Sequence, residues 1–300
     1  MLESTLKEKI LSNFFSSVIT PIVEIEKGIY AKVESSQKTG SVKDRFVLQA
    51  VKNAVKDESI KIGTTLVEAT SGNTGISLAA AGAFLGLKVI IVMPSNMSEE
   101  RKSLMKMHGA EIIEVGPSDF LAAIQLRDGM LKNQSSPQQF WSPRQFENNL
   151  NVKVHEDVTG PEIADQMTAY HRTSCWDFVA GSGTGGTLMG ISNFMRKTFR
   201  NGKAIRVVPA EGDSFHGIQG INDGKDFLLD TTQVPIRISV TTQEAIDAAR
   251  WFSKTHGMLV GISSGANLVA ARKRRRENGS NVVTMLCDRG ERYFSIFKST

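Results

Sequence analysis

Phe178-Val179-Ala180-Gly181-Ser182-Gly183-Thr184-Gly185-Gly186-Thr187 reads as a short apolar strand running into a glycine-rich loop, with a helix beginning near Leu188. The glycines let the backbone approach an anion closely, and the following helix aims its free N–H groups at that anion. The loop lacks the Gly-Lys-Ser/Thr ending of a nucleotide P-loop and departs from the spacing of the dinucleotide fingerprint. It suits a small phosphate monoester. The same strand–loop–helix pattern recurs earlier, with Thr65 to Ala69 as strand, Thr70-Ser71-Gly72-Asn73-Thr74-Gly75 as loop and Ile76 to Leu85 as an apolar, alanine-rich helix. Ser71 and Thr74 can donate to a carboxylate, and Asn73 can donate and accept. These are also ordinary turn formers, so a well-capped turn stands as the other reading. A third copy follows the short strand Met258-Leu259-Val260. There Gly261-Ile262-Ser263-Ser264-Gly265-Ala266-Asn267 opens a helix, and its serines could meet an uncharged ring nitrogen or cap the helix.

Strand-like runs at Val89 to Met93, Glu111 to Val115, Ile205 to Val208 and Val282 to Leu286 alternate with helical segments. This predicts an α/β architecture of mostly parallel, twisted sheets flanked by helices, with ligands beyond the carboxyl ends of the strands, where the loops fall.

Gly40-Ser41-Val42-Lys43-Asp44-Arg45 stands at the start of a further helix, whose Phe46, Val47, Ala50, Val51, Ala54 and Val55 share one face. Ser41 followed three residues later by Asp44 reads as a capping box. A lysine in a first turn opposes the helix dipole, and partial burial disfavours its ammonium form further. Lys43 is therefore either a solvated lysine or an amine suited to a Schiff base with an aldehyde cofactor, and the glycine-rich loops favour the second.

Three hundred residues, 40% of them hydrophobic, are comfortable for two domains. Cys175 and Cys287 lie far apart, without metal-ligand spacing, and read as buried thiols; the five histidines show no metal pattern. No apolar run is long enough for a bilayer, and the charged start, Met1 to Glu8, has no signal-peptide core. A reducing, cytoplasmic setting follows as the default, with no membrane partner. The net charge of +5 and the run Arg272-Lys273-Arg274-Arg275-Arg276 raise the question of nucleic acid. Without interleaved aromatics or a recognised motif, the run reads as a solvated helix face, with an acidic partner surface as the alternative.

Taken in order, the motifs resemble the cysteine synthase (O-acetylserine sulfhydrylase) family, among the fold-type II, tryptophan-synthase-β-like pyridoxal-phosphate enzymes. Cystathionine β-synthase cores are near cousins. The resemblance rests on Thr20-Pro21-Ile22-Val23, Gly40 to Arg45, Glu68 to Gly75, Met93-Pro94 with Met97-Ser98, and Gln145-Phe146-Glu147-Asn148. It continues through Thr159-Gly160-Pro161-Glu162-Ile163, Gly181 to Thr187, Gly217-Ile218-Gln219-Gly220-Ile221, Gly261 to Ala266 and Gly290-Glu291-Arg292-Tyr293, covering nearly the whole chain. Gln37-Lys38-Thr39-Gly40 departs from the family's usual Asn-Pro-Gly-Gly. A short stretch between Glu211 and Gln219, with Cys287 to Tyr293, leans toward the B-type enzymes, whereas Ala180 to Gly186 is more A-like.

The resemblance implies a two-domain enzyme, with residues 36–147 as the smaller domain and residues 1–35 plus 148–300 as the larger, phosphate-binding one. It implies pyridoxal 5′-phosphate, carried by Lys43 as an internal aldimine. Asn73 would bond the cofactor's 3-hydroxyl, Gly183, Thr184, Gly185, Gly186 and Thr187 its phosphate, and Ser263 its pyridine nitrogen. Thr70, Ser71, Gly72, Thr74 and Gln145 would grip the substrate carboxylate, and no metal is called for. The implied reaction is a β-replacement that makes L-cysteine from an O-activated L-serine, foremost O-acetylserine, and a sulfur donor, through an aminoacrylate. A relative that uses cysteine or serine, or a low-turnover regulatory partner, is the alternative. A homodimer and pairing with serine acetyltransferase are expected from the family alone. The loop from Gly212 to Gly224 would touch the leaving group and nucleophile.

Overall fold

A computed structural model of the chain describes residues 5–16, 18–70, 72–136, 138–199, 201–212, 217–222 and 227–298. Along the chain run α1 (Leu6–Lys9), β1 (Ile22–Glu26), β2 (Ile29–Val33), α2 (Lys43–Lys56), β3 (Thr65–Ala69), α3 (Asn73–Leu85) and β4 (Val89–Pro94). Then come α4 (Glu99–Met107), β5 (Glu111–Val115), α5 (Phe120–Lys132), β6 (Phe140–Trp141), α6 (Leu150–Val154), a π-helical turn at His155–Thr159, and α7 (Gly160–His171). The last third holds β7 (Asp177–Gly181), α8 (Gly186–Thr198), β8 (Ala204–Pro209), β9 (Arg237–Val240), α9 (Thr242–His256), α10 (Ile262–Asn278), β10 (Val282–Leu286) and α11 (Phe294–Lys298). These fall into two compact units, one built on residues through Val18 with Lys43–Gln145, the other on Ile19–Val42 with Phe146–Lys298.

The unit carrying Lys43 is a four-stranded sheet in the order β5-β4-β3-β6, parallel throughout. Every residue of β4, Val89-Ile90-Ile91-Val92-Met93-Pro94, is buried, as expected of a parallel strand covered on both faces. Ala123, Ile124 and Leu131 of α5 pack on Val67, Ala69, Ile90 and Val92. On α2 the face read from spacing is the buried one: Phe46, Val47, Ala50, Val51, Ala54 and Val55 are at most 4% exposed. The alanine-rich α3 is buried nearly all round and stops where Gly86 turns into the left-handed region at φ 75°. The N-terminal residues through Val18 belong to this unit, not to the other as the sequence reading has it, because α1 packs on α2 and α3.

The other unit holds a six-stranded sheet in the order β1-β2-β10-β7-β8-β9. The β1–β2 hairpin is antiparallel and every other pair is parallel. Alternate residues of the central strands serve different cores. Val179 and Val282 meet α9 and α10, while Phe178, Ala180 and Val283 pack with Leu188, Ile191 and Met195 of α8 and with Ile163 and Met167 of α7.

Met258-Leu259-Val260 is not a strand: α9 ends at left-handed Gly257, and Val260 makes only an isolated bridge to Arg289. The cysteines are both free, and Cys175 is exposed rather than buried. It precedes β7, and the neighbouring Trp176 takes the interior place. The basic run finds its acidic partners within its own unit. Arg272 Nε donates to Glu26 at 2.8 Å and its guanidinium lies 3.8 Å above the Trp251 ring. Lys273 pairs with Glu244 at 2.9 Å, and Arg274 with the buried Asp177 at 2.7 Å. The run thus fastens α10 to the sheet. No helix among the described residues is long and apolar enough to cross a membrane, and no cluster of His, Cys, Asp and Glu among them could hold a metal ion.

Candidate active site

Lys43 is the first residue of α2 and is half-buried. The expected capping box does not form. The helix begins later than the box requires, the buried Ser41 Oγ has no hydrogen-bond partner among the described residues, and Asp44 instead accepts from Ser77 Oγ on α3. That bond fixes the start of the lysine helix against the helix that begins at Asn73.

Around Asn73 the loop is held by its own polar groups. Thr70 N–H donates to Val92 O at 3.0 Å, and Thr70 Oγ1 accepts from Gly72 N–H at 3.1 Å. Residue 72 must be glycine twice over: its φ is 155°, and a Cβ there would lie 2.5 Å from Cδ of the buried Arg101. Ser71 lies outside the described residues. Asn73 is half-buried at the first position of α3. Thr74 and Gln145, read separately from sequence, stand together: Thr74 Oγ1 donates to Gln145 Oε1 at 2.6 Å, and Gln145 Nε2 donates to Ala69 O at 2.7 Å. The threonine proton is therefore engaged with Gln145, so an anion here would have to be met by backbone N–H groups.

Beneath this lies a carboxylate the sequence reading passed over. Glu68, fully buried on β3, accepts from Gln145 N–H at 3.1 Å, from Ala69 N–H at 2.8 Å and from Arg127 Nη1 at 3.2 Å. Burial pushes its carboxyl up to about 7, against the downward pull of Arg127 and the two backbone N–H groups. The available signal was a lone acid in the otherwise apolar strand Thr65 to Ala69.

In the other unit the glycine-rich loop connects β7 to α8. A Cβ at Gly183 would lie 2.6 Å from Gly220 O, one at Gly185 2.6 Å from Leu229 N, and one at Gly186 2.4 Å from Asn151 Oδ1. Neighbouring chain thus walls the loop closely, and α8 begins at its end, where Gly186 N–H already donates to Thr184 Oγ1 at 3.3 Å and the next N–H groups suit an anion. Thr184 Oγ1 accepts from Asn151 Nδ2 at 3.0 Å, and Thr187 Oγ1 lies 3.1 Å from His155 Nε2. Ser263 is the second residue of α10, nearly buried, with no hydrogen-bond partner for its hydroxyl among the described residues. Neither serine caps the helix, since Gly261 holds the cap position; Ser264 Oγ accepts from Cys287 N–H at 2.9 Å. Asn267 accepts from Gly181 N–H at 2.8 Å and donates to Met285 O at 2.9 Å, binding the foot of the loop to the serine helix.

A close-walled cradle of neutral donors fits a phosphate monoester, and an unengaged serine hydroxyl fits an uncharged ring nitrogen. With a half-buried lysine at a helix start, this is the donor set of a fold-type II pyridoxal-phosphate enzyme. Known proteins agree. The family described as pyridoxal-phosphate dependent enzyme matches residues 17–288. The chain belongs to that family, in its cysteine synthase branch. It is 36% identical to the cysteine synthase of Staphylococcus aureus over 295 residues, 92% of this chain and 93% of that one. Among solved structures it is similar to a hydrogen sulfide-producing enzyme of Fusobacterium nucleatum, with a TM-score of 0.88, 36% identity and coverage of 96% and 91%. It is also similar to an O-acetylserine-dependent cystathionine β-synthase of Helicobacter pylori, with a TM-score of 0.83, 30% identity and coverage of 98% of each chain.

Proposed function

We propose that this chain makes L-cysteine from an O-activated L-serine, foremost O-acetylserine, and sulfide or a related donor by β-replacement. The observation that carries the reading is the half-buried Lys43 at the start of α2, tied through Asp44–Ser77 to the hydroxyl-rich start of α3. Pyridoxal phosphate, when bound, supplies an aldehyde for an amine and a conjugated ring that draws electrons from the substrate Cα. Lys43 Nζ anchors it, and as a free amine takes the Cα proton and later returns it. Asn73 bonds the 3-hydroxyl; Gly183 to Thr187 hold the phosphate. Ser263, being neutral, leaves the ring nitrogen unprotonated and favours loss of the β-substituent over longer-lived carbanion chemistry. Thr70, Ser71, Gly72, Thr74 and Gln145 bind the α-carboxylate. The unit carrying Lys43 acts as the smaller domain. A homodimer in the cytoplasm, able to pair with serine acetyltransferase, completes the proposal.

A visible spectrum tests it. The lysine-linked chromophore of the holoenzyme is expected to shift on adding O-acetylserine and to return on adding sulfide, with cysteine released. The likeness to the sulfide-producing enzyme favours a second reading, in which cysteine is consumed. A chromophore that ignores O-acetylserine but shifts with cysteine would establish that one instead. Gln145→Leu removes the acceptor of Thr74 and the donor to Ala69 O. It is expected to raise KM for the amino-acid substrate about tenfold, the worth of one hydrogen bond to a charged group, with cofactor affinity unchanged. Steady-state kinetics beside cofactor titration checks this.

A further inference from the structure

Asn151 and His155 sit one helical turn apart, and each reaches a threonine hydroxyl of the glycine-rich loop. Both are 1% exposed. Their approach depends on α8 lying almost against their backbone: a Cβ at Gly190 would stand 2.3 Å from Val152 O and 2.7 Å from His155 Cβ. It depends also on the π-helical turn at His155–Thr159, a form that often marks functional positions.

A hydroxyl carries one proton and can accept twice. Thr184 Oγ1 already accepts from Asn151 Nδ2 at 3.0 Å and from Gly186 N–H at 3.3 Å. Its own proton has no acceptor among the described residues and is left for a bound group. At Thr187 the same polarity is set through the imidazole. His155 Nδ1 lies 2.9 Å from the hydroxyl of the fully buried Thr159, and Nε2 lies 3.1 Å from Thr187 Oγ1. If Thr159 donates to Nδ1, the neutral ring carries its proton on Nε2 and gives it to Thr187, whose own proton then points outward.

We propose that Asn151 and His155 are positioning residues that make Thr184 and Thr187 donors toward the cofactor's phosphate. This rests on assigning the loop to that phosphate. A phosphate dianion only accepts, so a hydroxyl free to turn its lone pairs outward would repel it whenever it did so. Fixing the hydroxyl in advance removes that loss and the ordering cost.

The test compares the apoprotein's affinity for pyridoxal phosphate with that for pyridoxal, which lacks the phosphate. His155→Leu and Asn151→Leu are each expected to weaken pyridoxal phosphate binding about tenfold, as for one hydrogen bond to a charged group, and to leave pyridoxal binding unchanged. His155→Gln, which keeps an N–H near Nε2, recovers most of the loss. In a Thr187→Val background His155→Leu adds nothing further. Thr159→Val, close in shape, frees the imidazole tautomer and should cost a few-fold with pyridoxal again unaffected. Equal losses for both ligands would make these residues parts of the fold and overturn the proposal, as would no loss for either. A wild-type protein that binds pyridoxal as tightly as its phosphate would remove the phosphate assignment itself, a distinct failure.

Discussion

Lys43→Ala is expected to lower turnover by at least about 10³-fold, because on the proposed function the variant would lose both the covalent anchor and the group that moves the Cα proton, and acid–base catalysis alone contributes roughly 10²–10⁴. Folding should survive. Alanine is the best helix former, Lys43 is half-buried at the first position of α2, and the helix face that packs, from Phe46 to Val55, is untouched. The readouts separate the two roles. Borohydride reduction of the loaded wild type should attach the cofactor to the peptide containing Lys43, and the variant should show no such attachment. An added small primary amine should restore part of the proton transfer without restoring attachment. Full activity in the variant would sink the assignment.

Arg127→Leu should destabilise the unit carrying Lys43 in a pH-dependent way. Arg127 is the guanidinium partner of the fully buried Glu68, and breaking a buried pair by removing one partner costs about 3–5 kcal/mol. The sign follows from the carboxyl. Its folded value is raised from 4.5 to about 7, so the stability it contributes is complete below the unfolded value and is lost as pH rises through the folded one. Without Arg127 only the Gln145 and Ala69 N–H groups oppose burial, the folded value climbs further, and the loss above neutrality steepens. The gap between wild type and variant in urea unfolding should be small near pH 5 and approach the full cost near pH 8. Asp128, which Arg127 also touches at 2.9 Å, keeps Arg144 at 3.0 Å and is half exposed, so it contributes little to the gap. A gap that stays level across this range would show that the pair is not ionised in the way its geometry implies.

Much of the fold was legible because parallel strands buried on both faces leave continuous apolar runs. β3, β5 and β10 begin and end where the sequence places them. The β1–β2 hairpin escaped notice although Lys27-Gly28 separates two alternating runs, and Gly28 indeed turns with φ 78°. Two-residue β6 has no pattern long enough to read. The glycines and hydroxyls proposed for the site stand beside strand ends, where their chemistry is local and can be read from sequence. The residues behind them cannot. Glu68 meets Arg127, and Asn151 and His155 meet the loop threonines, only through tertiary packing, and a polar residue inside a strand or helix announces no partner. The Ser41–Asp44 spacing misled for the same reason: Asp44 had a better partner in Ser77, distant in sequence.

The two hydrogen bonds of Asn267, accepted from Gly181 N–H and donated to Met285 O, have a consequence for ligand selection. They make the proposed phosphate cradle and the serine proposed to meet the ring nitrogen two jaws of one gauge. A ligand is then measured by the span from its anionic end to its ring, before any covalent chemistry takes place. Analogues with a lengthened or shortened phosphate arm should be refused even when both ends are chemically intact, and loosening the gauge with Asn267→Ala should let them in.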